Sequence, residues 1–323
     1  MIVAEYLPPR SHVLWQLARQ MGIRYAIVNA KPERTGLNPP WDIDALRRVQ
    51  REFDAAGLKI HGLEGDQFDM GRIKLGLDGR DEDIERYCRM LRNMGELGIP
   101  LLCYNFMAQI GWFRSSVGVA GRGGALVSQF DLKEVPTSLT EAGEVPAERL
   151  WENYRYFVQH VMPVAEKAGI RMALHPDDPP LPSLRGIGRI FGTPEAFERA
   201  YSLAPSPSNG VTFCRANFKL MGADLSQWIR HFAAQKRLFF LHLRDVRGTA
   251  EHFVEIFHDE AAAELMDTLR ACQQAGFDGP LRCDHVPTMA GEMNGEPGYG
   301  TLGRLFAVGY ILGLMDALGI PRE

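Results

Sequence analysis

Two histidines, a cysteine and an aspartate carry the first chemical signal in this chain: His175, Cys214, His242 and Asp284. Imidazole, thiolate and carboxylate all ligate divalent transition ions, and a mixed set of four is enough to hold one. The residues are tens of positions apart, so they form a site only if the fold gathers them. Singly, each is weak. A lone histidine at the end of an apolar run is most often a hydrogen-bonded polar group, and a lone cysteine a small buried apolar one. Position joins them: each stands at or near the C-terminal end of a short apolar run.

The runs at residues 2–6, 25–29, 60–64, 101–106, 172–175, 211–214, 239–243 and 281–285 are β-rich and continuously apolar. Strands buried on both faces read this way, whereas half-exposed strands alternate. Helical periodicity fills the intervals. Residues 42–56 space Leu46, Val49 and Phe53 on one face, and 81–97 opens on three acids before Ile84, Leu91 and Met94. Further helices are predicted over 151–168, 194–201, 225–234, 261–275 and 301–318, with Gly169 and Gly276 as C-terminal stops. Eight alternations of strand and helix predict an α/β fold, a single (β/α)8 TIM barrel over residues 1–323. A doubly wound sheet is the alternative, but no glycine-rich phosphate loop follows the first or second strand. Residues 107–146 are expected as an irregular, glycine-rich rim loop after the fourth strand, and long loops of this kind are more often lids or interface arms than filler. Residues 287–300 form a second irregular rim segment. In a barrel the C-terminal strand ends converge, which makes one set of the four ligand types.

Other polar groups fall near the same rim. Glu64 closes the third strand and could be a ligand, a base or a structural acceptor. Asn105 closes the fourth and suits a hydroxylated ligand. In His175-Pro176-Asp177-Asp178-Pro179-Pro180 the prolines stiffen a turn. Asp177 is expected to orient His175 or bind substrate hydroxyls, while Asp178 divides evenly between the site and a solvated turn. Arg244 and Arg282 can grip a carboxylate with paired hydrogen bonds, or form plain salt bridges. Trp112 and Arg114 can cover the site from the long loop, although packing the loop onto the barrel is the favoured role for Trp112. Tyr299, flanked by Gly298 and Gly300, can aim a phenol inward as an acid–base group.

Composition excludes several classes. With 46% apolar and 24% charged residues the chain is globular rather than disordered or collagen-like. A net charge of −4 with scattered Lys and Arg gives no nucleic-acid footprint. No apolar run approaches the roughly 18 residues of a membrane span, and the charged residues Glu5, Arg10 and Arg19 do not suit a signal peptide. Five cysteines at irregular spacing suggest no disulfide framework, so a cytoplasmic setting is expected.

The order of motifs resembles the mannonate dehydratase family of the xylose-isomerase-like barrel group. The similar segments are Cys103-Tyr104-Asn105-Phe106-Met107, Pro163-Val164-Ala165-Glu166, the run from Arg171 to Pro180, His242-Leu243-Arg244, Arg282 with Asp284-His285, Pro297-Gly298-Tyr299 and Gly303-Arg304. The resemblance implies a hydro-lyase that removes water from D-mannonate to give 2-keto-3-deoxy-D-gluconate with Mn²⁺ or Fe²⁺, Zn²⁺ remaining compatible with a thiolate ligand. It implies that His175, Cys214, His242 and Asp284 hold the metal, that Tyr299 works with Asp284 in proton transfer, and that Asn105, Arg244 and Arg282 contact the sugar acid. His285, Tyr299 and Asp284 all stay open as base and acid. A homodimer is expected by analogy. The chain departs from the family pattern at Asn29-Ala30-Lys31 and at Arg215-Ala216-Asn217-Phe218. Competing readings are a metal-dependent sugar isomerase or epimerase on the same barrel, and a non-catalytic sugar-acid binding protein.

Overall fold

The computed structural model describes residues 1–322. The chain begins β1 (Ile2–Leu7), α1 (Val13–Gln20), β2 (Tyr25–Val28), α2 (Pro32–Thr35), α3 (Ile43–Ala55), β3 (Lys59–Glu64), α4 (Gly71–Leu75), α5 (Arg80–Glu96) and β4 (Leu101–Tyr104). An excursion follows, with β5 (Ser116–Ala120) and β6 (Leu126–Asp131). The chain returns through α6 (Ala147–Ala168), β7 (Arg171–Leu174), the short β8 (Ser183–Leu184) and β9 (Ile187–Gly188), α7 (Glu195–Leu203), β10 (Asn209–Cys214), α8 (Arg215–Leu220), α9 (Leu225–Ala234) and β11 (Leu238–Leu243). A hairpin of β12 (Asp245–Thr249) and β13 (His252–Ile256) precedes α10 (Ala262–Gln274), β14 (Pro280–Cys283) and α11 (Thr301–Ala317).

Eight of these strands close into a parallel barrel in the order β1-β14-β11-β10-β7-β4-β3-β2. The eight apolar runs of the sequence are these eight strands. Ala4, Ile27, Leu101, Cys103, Ala173, Phe239 and Phe240 pack inside the ring. A larger core lies between the strands and the outer helices, where Phe53, Tyr154, Phe157, Phe197 and Phe232 are fully buried. Local signals set helix ends. The Asp42 carboxylate accepts from Asp44 and Ala45 at the start of α3, and Asp224 caps α9 from Gln227 N. Gly169 stops α6 in the left-handed region at φ 70°. Helix α1 follows a His12 cap rather than an acid or hydroxyl, so it carries no strong sequence signal.

The segment after β4 is not irregular throughout. Its strands β5 and β6 join β13 and β12 in an antiparallel sheet of order β12-β13-β6-β5. Phe130 and Phe253 stack at 5.7 Å in its small core with Val246 and Ala216. The β6–β13 pairing joins positions such as Phe130 and Phe253, far apart in sequence. That non-local partner explains why local patterning reads this segment as loop. The segment at 287–300 does lack helix and strand, but Thr288 bridges to Leu126 and ties it to the same sheet.

Candidate active site

Parallel register lines up the polar strand ends. Cys214 pairs with His242, and His242 with Arg282, across three adjacent strands. Glu64 pairs with Cys103 on the opposite side of the ring. One residue beyond β7 and one beyond β14 add His175 and Asp284. The ligand atoms of His175, Cys214, His242 and Asp284 all lie within 4.8 Å of one another. Above them is a cavity of about 220 Å³, walled by Glu64, Asn105, Trp112, Arg282, His285 and Tyr299 among others.

The four residues fit a divalent metal ion by their chemistry and by what they leave unmet. His242 is 1% exposed, yet neither ring nitrogen has a hydrogen-bond partner. Buried polar atoms are rarely left so, because an unmet one costs on the order of 1–3 kcal/mol. His242 Nδ1 lies 3.6 Å from Asp284 Oδ2, and Nε2 lies 3.4 Å from Glu64 Oε2. His175 Nδ1 is 2.7 Å from the Pro176 carbonyl, which leaves Nε2 with a free lone pair. Burial, the largest influence, pushes the His175 imidazole below its ordinary range and so favours the neutral form a metal needs.

Neighbouring guanidinium and imidazole groups keep the carboxylates ionised. Burial alone would raise the Asp284 carboxyl, but His285, Arg282, His242 and Arg244 together hold it well below the usual range. Glu64 behaves alike: burial opposes, Arg282 and His242 prevail, and its pKa falls to about 2. Arg282 grips both oxygens of Glu64 and places Nη2 3.0 Å from Asp284 Oδ1. Tyr299 donates toward Asp284 Oδ1 at 3.5 Å, and burial followed by Asp284 pushes the phenol well above its usual value.

Asn105 is held in one orientation. Its Oδ1 accepts from Lys74 Nζ at 2.9 Å and from Met107 N at 3.1 Å. Both donors occupy the oxygen end, so the amide NH₂ is the end left for a ligand. Lys74 is 3% exposed and also pairs with Asp66 at 2.7 Å.

The structure places four of the expected residues differently. Asp177 does not reach the cavity. Its Oδ2 accepts from Phe191 N at 2.8 Å, and its own N–H donates to Phe191 O, so the loop is stitched sideways. Asp178 takes its place in the cavity wall, 2% exposed, and is no solvated turn. Arg244 lies beneath the wall rather than in it. It is spent on Asp178, Glu255 and Asn217, with Nε 3.0 Å from Asp284 Oδ2. Trp112 lines the cavity at 38% exposure, its ring 5.2 Å from that of His285, so it does more than pack the loop.

A buried ion network was not legible in the sequence. Arg114 Nη1 donates to Asp178 Oδ1 at 2.6 Å and its Nη2 to Glu255 Oε1 at 2.6 Å. Glu255, on β13, also accepts from Arg244 at 3.1 Å and from His285 Nδ1 at 2.8 Å. Burial opposes its ionisation, but His285, Arg114 and Arg244 lower its pKa to about 2. Sequence patterning offers Arg114, Asp178, Arg244 and His285 only singly, and does not mark Glu255 as the acceptor that joins them.

Fold and site together define a (β/α)8-barrel protein with a mixed His, Cys and Asp cluster at the C-terminal mouth. A family model described as D-mannonate dehydratase (UxuA) matches residues 6–143 and 132–321, and the chain belongs to that family. It is 34% identical over 306 residues to mannonate dehydratase 2 of Halalkalibacterium halodurans, covering 86% of this chain and 88% of that one. Among solved structures, the mannonate dehydratase from Streptococcus suis serotype 2 superposes with a TM-score of 0.89 at 28% identity, over 100% of this chain and 97% of that one. A D-psicose 3-epimerase from Clostridium cellulolyticum H10 shares the fold alone, at TM-score 0.60 and 13% identity over 98% of each chain.

Proposed function

We propose that this chain is a metal-dependent hydro-lyase that converts D-mannonate to 2-keto-3-deoxy-D-gluconate and water. The observation that carries the reading is the His175, Cys214, His242 and Asp284 cluster, buried except for a half-buried His175, in a chain of the D-mannonate dehydratase family. The same four residues would hold the ion. Mn²⁺ or Fe²⁺ is the proposed metal, with Zn²⁺ compatible with the thiolate. When bound, the ion supplies Lewis-acid stabilisation of negative charge developing on the substrate carboxylate.

The protein's own groups divide the proton work. The C2 hydrogen of an aldonate is weakly acidic, so its removal needs a base close to C2. His285 Nε2 faces Asp284 Oδ1 at 3.8 Å and is the proposed acceptor. The C2–H bond breaks, an N–H bond forms, and the electron pair stays with carbon and its carboxylate. Tyr299, kept protonated by burial, donates as the C3–O bond breaks and water leaves. The resulting enol loses its O–H proton and gains one at C3, which gives the 2-keto acid. Asn105, through its free NH₂ end, and Arg282 are the proposed contacts to hydroxyl and carboxylate oxygens.

Five free, buried cysteines fit a reducing compartment, and the cytoplasm is the proposed setting. No helix among the described residues is long and apolar enough to cross a membrane. A homodimer remains part of the proposal by analogy with related barrels.

The test is 2-keto acid formation from D-mannonate by metal-stripped protein, with and without Mn²⁺, and with His175→Ala as control. Metal-dependent product that disappears in the variant supports the reading. Stoichiometric metal binding without product would sink the mannonate assignment. Solvent deuterium entering unchanged substrate without loss of water would point instead to an epimerase.

A further inference from the structure

We propose that Glu255, carried by the antiparallel sheet outside the barrel, is a positioning residue that sets the tautomer and direction of His285. The inference rests on the proposed proton-transfer role of His285. The geometry is direct. A neutral imidazole has one donor nitrogen and one acceptor nitrogen. Glu255 Oε1 lies 2.8 Å from His285 Nδ1, and an ionised carboxylate can only accept. Nδ1 therefore carries the hydrogen, and Nε2 presents its lone pair on the side of Asp284 and the cavity. When Nε2 takes a proton, the positive charge appears beside a carboxylate already in place. This is the logic by which a buried acid orients a catalytic histidine.

Further contacts show that the ring's direction is imposed. His285 adopts φ 28°, a region that non-glycine residues seldom enter. The ring is boxed edge to face by Trp112 at 5.2 Å and Tyr299 at 5.6 Å. A Cβ at Gly298 would stand 3.2 Å from His285 Cδ2, so any side chain there would crowd the ring. Glu255 is itself fixed by Arg114 from the excursion after β4 and by Arg244 from the end of β11. The antiparallel sheet thus delivers one acid, through a cationic clamp, to the back of one imidazole. That gives the excursion a task in the reaction, beyond covering the cavity.

The test is a double-mutant cycle on the metal-loaded enzyme with D-mannonate, using Glu255→Gln, His285→Gln and the pair. Glu255→Gln keeps the shape and one acceptor, but Arg114 and Arg244 compete for it. The expected result is a kcat lower by about 30-fold with KM within about threefold, in line with losses of 10–100-fold for partners behind a working group. In the His285→Gln background the same change should cost less than about threefold. A merely structural role would lower kcat equally in both backgrounds, and that overturns the proposal. A His285→Gln enzyme with wild-type kcat overturns the role of His285 itself, which separates the two failures. If Glu255→Gln does not fold, ¹⁵N imidazole spectra of the intact protein still decide, with His285→Gln assigning the signal. A protonated Nδ1 on neutral His285 supports the proposal, and a protonated Nε2 overturns it.

Discussion

The barrel is hollow at both ends, and the proposed site lies in the smaller hollow. At the N-terminal end a cavity of about 550 Å³ is lined by Met1, Ile2, His61, Arg171, Phe239 and Gly279. At the C-terminal end the cavity is about 220 Å³. Both have a histidine and arginines near them. The difference lies in what stands behind those groups. At the N-terminal end Arg171 is exposed and reaches across the Phe239 ring at 5.8 Å. At the C-terminal end Arg114, Arg244 and Arg282 are almost fully buried, each locked to carboxylates. Burying an ion costs several kcal/mol before its partner repays it. A protein that buries three arginines around one cavity holds fixed charge there, and fixed charge is what stabilises a developing anion. Convergence of buried ionisable groups locates chemistry better than volume does.

If that contrast is right, the largest effect comes from the cluster itself. His242→Ala should abolish stoichiometric metal binding and lower kcat by about 10³-fold or more, since both charge stabilisation and geometry are lost. Metal content of the purified variant and its 2-keto acid yield check this together. Retained activity with no bound metal would remove the C-terminal cluster from the chemistry and break the comparison at its strongest point.

An intermediate effect should come from Lys74, which touches no substrate in the proposal. Lys74→Met removes the donor that turns the Asn105 amide, and a hydrogen bond to a charged group is worth about 1.5–3 kcal/mol. The amide is then free to rotate and present its oxygen to the cavity. KM for D-mannonate should rise by about tenfold while kcat changes less than about threefold. An unchanged KM would mean that Met107 N alone fixes Asn105, and that the charged shell is narrower than the contrast implies.

The same contrast explains what was legible in the sequence. The barrel strands were, because strands buried on both faces are continuously apolar and the helices between them keep their own period. The gathering of His175, Cys214, His242 and Asp284 was, because a strand end is a position that sequence can mark, as at Cys214 and His242. The antiparallel sheet was not. Its strand 116–120 carries Gly118 and exposes Val117 and Ala120, and β6 finds β13 only across more than a hundred positions. Asp177 and Asp178 could not be told apart, because which neighbour faces the cavity depends on the stitch between Asp177 and Phe191. Lys74 and Glu255 were missed as site residues because an isolated charge reads as solvent-facing until the fold buries it, and Arg114 was read as a cover for the site rather than as a buried partner of Asp178 and Glu255.

The smallest effect should come from His61, at the other end of the barrel, and it should concern stability alone. Burial first, then Lys59 and Arg171, lowers its pKa from 6.5 to about 4. The unfolded chain takes up a proton near pH 6.5 that the folded chain resists until about pH 4. Between these values the unfolded state binds more protons, so stability falls as pH falls through that window. Above it the histidine is neutral in both states and costs nothing by this route. His61→Leu removes the penalty. Its thermal midpoint should match the wild type at pH 8 and exceed it at pH 5 by about 2 °C or more. Its kcat/KM for D-mannonate at neutral pH should stay within about twofold of wild type, because the imidazole faces Tyr25 at 5.6 Å and no member of the cluster. A tenfold loss of kcat/KM would show that the N-terminal end takes part in turnover. In that case buried, fixed charge would no longer distinguish the working mouth of the barrel from its larger and quieter opposite end.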